Sequence, residues 1–158
     1  MQRHEDIGQT TSVFTDDQPG VQVDDSNFPL IIMRVGNFIG PKEMADFLEE
    51  NARVFARKQP FAYLVIVRKR GKMEWSVLNQ WGKWSRANEQ AMRELCKGVA
   101  FVFPGDAFRM LLSAILAVSP GRVPHKVFSS QLDAYAWTAA QLAPTGYRTP
   151  VIQPTLWP

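Results

Sequence analysis

The chemistry-bearing residues concentrate in one stretch, Tyr63 to Arg86, YLVIVRKRGKMEWSVLNQWGKWSR. An apolar run, Leu64, Val65, Ile66 and Val67, ends abruptly in the cations Arg68, Lys69, Arg70 and Lys72, and Trp75, Trp81 and Trp84 follow. A guanidinium can bind phosphate through two parallel hydrogen bonds, and a tryptophan face can stack on a base, so the stretch has the parts of an anion or nucleic-acid site. The cations are nevertheless compact rather than spread along a groove, and Glu74, Glu89 and Glu94 lie close by. A solvated loop at a sheet edge, with the tryptophans packing a helix, accounts for the same residues. Nucleic acid is the less favoured partner, and an acidic protein or an anionic headgroup the more favoured one.

Cys96 and His125 are the residues that could form a thiolate pair. Such a pair needs a third group to orient the base, and no surrounding motif supplies one. A lone cysteine near the end of an amphipathic helix reads as a small buried apolar residue. Asp106, a second candidate acid, stands where a helix needs its N-cap. No Cys and His cluster has zinc-ligand spacing, and one cysteine cannot close an intrachain disulfide, so no cofactor, metal or catalytic residue is expected.

At 158 residues with 46% hydrophobic content the chain can bury a core without such staples. A formal charge of +3 is mild, short of the usual charge of a dedicated nucleic-acid binder. The N-terminus, MQRHEDIGQTTS, lacks the basic-then-apolar order of a secretion signal, and no apolar run approaches the roughly 18 residues that span a bilayer. The expectation is a cytoplasmic protein with no integral membrane association.

The elements that must position these residues follow from periodicity. Residues 1–18 read as a loosely held arm, and 19–143 as one domain. Val21–Val23 and Leu30–Val35 read as a hairpin joined through the turn-forming residues DDSN. GPKEMADFLEENARVFARK reads as a helix started by Gly40 and Pro41, with Met44, Phe47, Leu48, Ala52 and Phe55 on its apolar side. Phe61–Val67 is the next strand. A second helix is expected from Trp75 or Ser76 to Lys97, with a break at Gly82 and Gly98 as C-cap. Val99–Phe103 follows as a strand, then a helix from Asp106 to Val118 with Phe108, Leu111, Leu112, Ile115 and Leu116 inward. HKVFSS is a last strand, and a last helix opens at Ser129 or Ser130 and packs through Leu132, Tyr135, Ala136 and Ala139. The tail 144–158 carries four prolines in fifteen residues and either docks or stays extended. Strands alternating with helices predict an α/β fold with a mixed, mostly parallel sheet of four to five strands and about four helices.

This order, with CKGVAFVFPGDAFRMLLSAIL (Cys96 to Leu116) and PHKVFSSQLDAYAWTAAQL (Pro124 to Leu142), resembles the STAS domain. The likeness is to the fold of anti-sigma-factor antagonists and above all to the stand-alone bacterial STAS/SEC14-like group. It covers roughly residues 20–143. The resemblance implies a non-enzymatic, regulatory protein-protein interaction module. It also implies a phosphorylatable Ser or Thr in an Asp-Ser setting after the central strand, where a helix N-terminus would stabilise phosphate. Here that place holds Arg68 to Lys72, and Ser76, the nearest hydroxyl and the candidate phosphosite, lacks the motif.

Two surfaces are the candidate contacts. On the Asp106–Val118 helix, Arg109, Met110, Ser113 and Ala117 form a face with little polar area, suited to a protein partner or a homodimer. The basic residues Arg68, Lys69, Arg70 and Lys72 form the second, for an anion or an acidic partner. The alternative, by analogy with the lipid carriers of the group, is an apolar or anionic small ligand held by the Trp-rich helix.

Overall fold

Leu30, Ile31, Ile32 and Met33 are all buried, so both faces of their strand must be covered. The computed structural model, which describes residues 13–69, 71–103, 105–106, 123–150 and 153–158, shows how. The sheet is built from β1 (Val21–Asn27), β2 (Leu30–Val35), β4 (Phe61–Val67), β6 (Cys96–Val102) and β7 (His125–Phe128), in that spatial order. β1 is antiparallel to β2, and all other neighbours are parallel. Two-residue strands β3 (Phe38–Ile39) and β5 (Lys72–Met73) form a separate parallel pair.

The helices follow from the connections. From β2 to β4 to β6 the chain steps across the sheet in one direction, so right-handed crossovers put both connecting helices on one face. That face holds α1 (Pro41–Ala56), α2 (Trp75–Ala87) and α3 (Glu89–Leu95). Its core joins Ile31, Met33, Phe61 and Tyr63 to Met44, Phe47, Val54 and Val77. The opposite face carries Leu30, Ile32, Leu64, Ile66, Ala100 and Val102, covered by α4 (Gln131–Leu142) and by Trp157. The result is a mixed α/β fold with a five-stranded, mostly parallel sheet and helices on both sides. No helix among the described residues is long and apolar enough to cross a membrane.

Several local expectations change. The residues DDSN are not the hairpin turn: β1 runs through them with a bulge between Asp24 and Asn27, and the reversal falls at Phe28-Pro29. Asp24 and Asp25 instead pair with Arg34 and Arg57, which draws them into the strand. The second helix breaks at Asn88, whose side-chain amide donates to the Trp84 carbonyl at 2.9 Å, and not at Gly82. Gly98 lies inside β6 and caps no helix. A Cβ there would meet Gln141 Cγ at 2.9 Å and the Trp137 ring at 3.2 Å, so glycine lets α4 approach the sheet. Leu132 is 59% exposed and Ala136 is exposed, while Ala134, Tyr135, Thr138, Ala139 and Leu142 face inward. Ala52 on α1 is likewise exposed, and Asn51 takes the buried position beside it. The start of α1 is as expected: Gly40 is the N-cap, and its N–H donates to the Glu43 carboxylate at 3.1 Å. Ser130 caps α4 by accepting from the Asp133 N–H at 3.3 Å. All but the first residue of the expected Asp106–Val118 helix lies outside the described residues.

Candidate functional site

β2, β4, β6 and β7 point the same way, so Val35, Val67, Val102 and Phe128 end along one edge of the sheet. Open α/β sheets bind ligands just beyond such carboxyl ends. Arg68 and Lys69 leave β4 there, which is why the basic turn is the candidate site.

The chain's own termini meet these cations. Thr15 to Gln18 form a turn, in which Gln18 N–H donates to the Thr15 carbonyl at 3.2 Å. Beyond it, Asn37 N–H donates to the Gln18 carbonyl at 2.9 Å, and Asn37 Nδ2 donates to the Asp17 carbonyl at 2.9 Å. A Cβ on Gly36 would sit 1.9 Å from the Gln18 carbonyl oxygen, so glycine is needed for this close crossing. The crossing sets the Asp16 carboxylate 3.5 Å from both Arg68 Nε and Lys69 Nζ, and Asp17 3.3 Å from Lys69 Nζ. These aspartates hold the Lys69 ammonium above its ordinary range, with the Asp17 hydrogen bond the largest cause. Lys72 is tied through its backbone, since its N–H donates to the Asn37 carbonyl at 2.9 Å, and its side chain is exposed.

The C-terminal residues close the other side. The Arg68 guanidinium lies 5.0 Å from the centroid of the Trp157 ring, in cation–π geometry. Trp157 is 4% exposed, and Phe14 packs tilted against it at 5.7 Å. Gln131 holds the Trp157 backbone from both sides: its Oε1 accepts the Trp157 N–H at 3.0 Å and its Nε2 donates to the Trp157 carbonyl at 2.7 Å. Arg34 donates to the Thr155 carbonyl at 2.6 Å, and to Asp24 and Gln22 at 2.9 Å each. The sequence signal for this docking was the terminal Leu156-Trp157 pair.

The remaining candidates separate. Cys96 is buried, and burial pushes its thiol up to about 12. Its Sγ donates weakly to the Gly98 carbonyl at 3.6 Å. His125 is registered beside Val99, three residues further along β6, and its Nδ1 faces the Val123 carbonyl at 3.3 Å. The pair is therefore not assembled. Ser76 stands exposed in the first turn of α2, two residues after the N-cap Glu74. Trp81 stacks on Phe47 at 6.0 Å and on Trp84 at 5.3 Å while staying 37% exposed, and Trp84 meets Phe55 edge-on at 5.4 Å. Among the described residues no group of three or more His, Cys, Asp or Glu could hold a metal ion. Arg70, Arg109, Met110, Ser113 and Ala117 lie outside the described residues.

No protein-family model matches the chain, and no curated protein matches it. Among solved structures it is similar to an uncharacterized DUF3478-family protein from Shewanella loihica PV-4, described as having a SpoIIAA-like fold. The likeness has a TM-score of 0.61 at 14% identity, and it covers 80% of this chain and 99% of that one. The fold is thus SpoIIAA-like, which is the STAS fold of anti-sigma-factor antagonists.

Proposed function

We propose that this chain is a non-enzymatic STAS-like regulatory module that works by binding another protein. One observation carries the reading: at the sheet end where an α/β protein would take a ligand, Arg68 and Lys69 are engaged by Asp16 and Asp17 and Arg68 covers Trp157. A place filled by the chain's own residues favours work done on outer surfaces. The buried, unassisted Cys96 supports the non-catalytic part of the reading. The absence of an Asp-Ser pair after β4 argues for regulation by association and not by a kinase at that point.

The partner surface in this proposal is the face of Arg109, Met110, Ser113 and Ala117, which recur at helical spacing in the sequence. The basic turn of Arg68, Lys69, Arg70 and Lys72, in which Arg68, Lys69 and Lys72 are exposed, is the second contact, suited to an acidic partner or a second copy. The test is tagged-chain capture from lysate, quantified for wild type, Met110→Asp and Ala117→Glu, alongside light scattering of the purified protein. Loss of the same captured protein or dimer in both variants, with unchanged thermal melts, is the expected result. A monomer whose captured proteins are identical in all three preparations would overturn the proposal.

A further inference from the structure

Residues 153–158 form no helix or strand, so they are held by the side chains they lie against. The bonds from Gln131 and Arg34 all end on backbone atoms of this segment: Gln131 brackets Trp157 through its N–H and its carbonyl, and Arg34 Nη2 donates to the Thr155 carbonyl at 2.6 Å. Backbone groups are common to every sequence, so these bonds recognise a peptide as such. Arg34 is a positioned donor. It is 7% exposed, and Gln22 and Asp24 each accept from its Nη1 at 2.9 Å. A guanidinium carries only donors, and buried donors need acceptors; the segment supplies the one for Nη2.

Side chains add selectivity. Pro154 and Trp157 are buried while Gln153, Thr155 and Pro158 are exposed, so the segment is read at two positions three residues apart. Three residues is the repeat of a polyproline II segment, the conformation that prolines favour. The Trp157 ring joins the cluster of Leu30, Ile32 and Ile66, with Phe14 at 5.7 Å and the Arg68 guanidinium at 5.0 Å. Arg34 stands at the carboxyl end of β2 and Arg68 just past that of the neighbouring β4. The cradle therefore lies where open parallel sheets take ligands.

We infer that this cradle is a peptide-binding site, that residues 154–157 are its intramolecular occupant, and that its other occupant is an extended Pro-x-x-Trp segment of a partner protein. The chain's own segment is then an autoinhibitory contact. Tethering holds it at a high effective concentration, so a free peptide meets an open cradle in only a fraction of wild-type molecules, and its apparent affinity falls by that fraction. This goes beyond the outer-surface reading. The cradle uses neither the Arg109 to Ala117 face nor Lys72, and its failure would leave that proposal untouched.

The test titrates fluorescein-labelled Gln-Pro-Thr-Leu-Trp-Pro-amide, the sequence of residues 153–158, into the intact wild-type chain and into the intact chain carrying Trp157→Ala. Expected are saturable binding to Trp157→Ala, binding to wild type weaker by at least about tenfold, and a Trp157→Ala melting temperature that rises with peptide. Adding Gln131→Ala to Trp157→Ala should weaken binding by about tenfold or more, the order of the two bonds it removes. Trp157→Leu, which fills more of the space, carries the test should the alanine variant not fold. The peptide with alanine for tryptophan is expected not to bind. No binding to either variant, equal affinity for wild type and variant, or equal binding of the alanine peptide would each overturn the inference. So would a wild-type dimer that the peptide dissociates, since that result gives the cradle to residues 154–157 of a second copy.

Discussion

Replacing Trp157 with alanine tests whether the last residues belong to the core. The ring is 4% exposed and lies in one cluster with Leu30, Ile32, Leu64, Ile66 and Tyr135. Truncating a buried tryptophan to alanine costs about 3–5 kcal/mol, as lost transfer energy plus a cavity term. A segment outside the helices and strands can shift to fill part of the space, which favours the lower end of that range. If the segment detaches instead, the two Gln131 bonds and the Arg34 bond to Thr155 go as well, each worth about 1 kcal/mol net. The first route costs about 3 kcal/mol and the second more, so about 3 kcal/mol is the smaller loss to expect. For a domain of this size that lowers the melting temperature by about 10 °C, at roughly 3 °C per kcal/mol. Circular-dichroism melts of wild type, Trp157→Ala and Gln131→Ala measure it, with Leu132→Ala, 59% exposed, as the reference that should change by under about 0.5 kcal/mol. A Trp157→Ala melt within about 2 °C of wild type would refute the reasoning.

Two further outcomes follow from titratable groups. Burial works against the Asp24 carboxylate, but hydrogen bonds from Ser26 and Arg34 outweigh it and hold its pKa below the ordinary 3.8. A depressed carboxyl stabilises the fold above its ordinary value and loses that contribution as pH falls through the folded value. Asp24→Asn should therefore be less stable than wild type at pH 7, by about 1–2 kcal/mol, and the gap should shrink as pH falls below 3.8. A gap independent of pH would contradict the assignment. Cys96, pushed up to about 12, should react with a thiol reagent at pH 8 only as fast as the protein opens, and at full speed in denaturant. Rapid labelling of the native protein would reopen the thiol as a reactive group.

The strands and α1 were legible in the sequence because their signals are local. Leu30 to Met33 and Phe61 to Val67 are apolar without interruption, and Gly40-Pro41 opens a helix by backbone geometry alone. The misread positions are those where a distant partner decides. DDSN has turn composition, yet Arg34 and Arg57 lie across the sheet and at the end of α1, and neither is visible from within the stretch. Gly98 has the composition of a C-cap, but what requires glycine there is Trp137 and Gln141, some forty residues away. Leu132 and Ala136 fit a helical stripe, and the turn of the helix that meets the sheet is instead set by Ala134, Tyr135 and Thr138.

The basic turn shows the same limit in its chemistry. Charge counting near Arg68 sees Glu74, Glu89 and Glu94, none of which forms an ion pair with Arg68 or Lys69, and misses Asp16 and Asp17, which do. Asp16 is nearly buried, with 12% of its side chain exposed, so its pairing is screened less than an open surface bridge would be. An anion arriving at Arg68 would have to compete with the Asp16 carboxylate already 3.5 Å away. Arg68, Lys69 and Lys72 are all exposed, and Lys72 is the one of the three for which the described residues show no ion pair. A partner can meet the Lys72 ammonium without dislodging the Asp16 and Asp17 contacts. At this end of the sheet, that is the support for the proposed protein partner over a small anion.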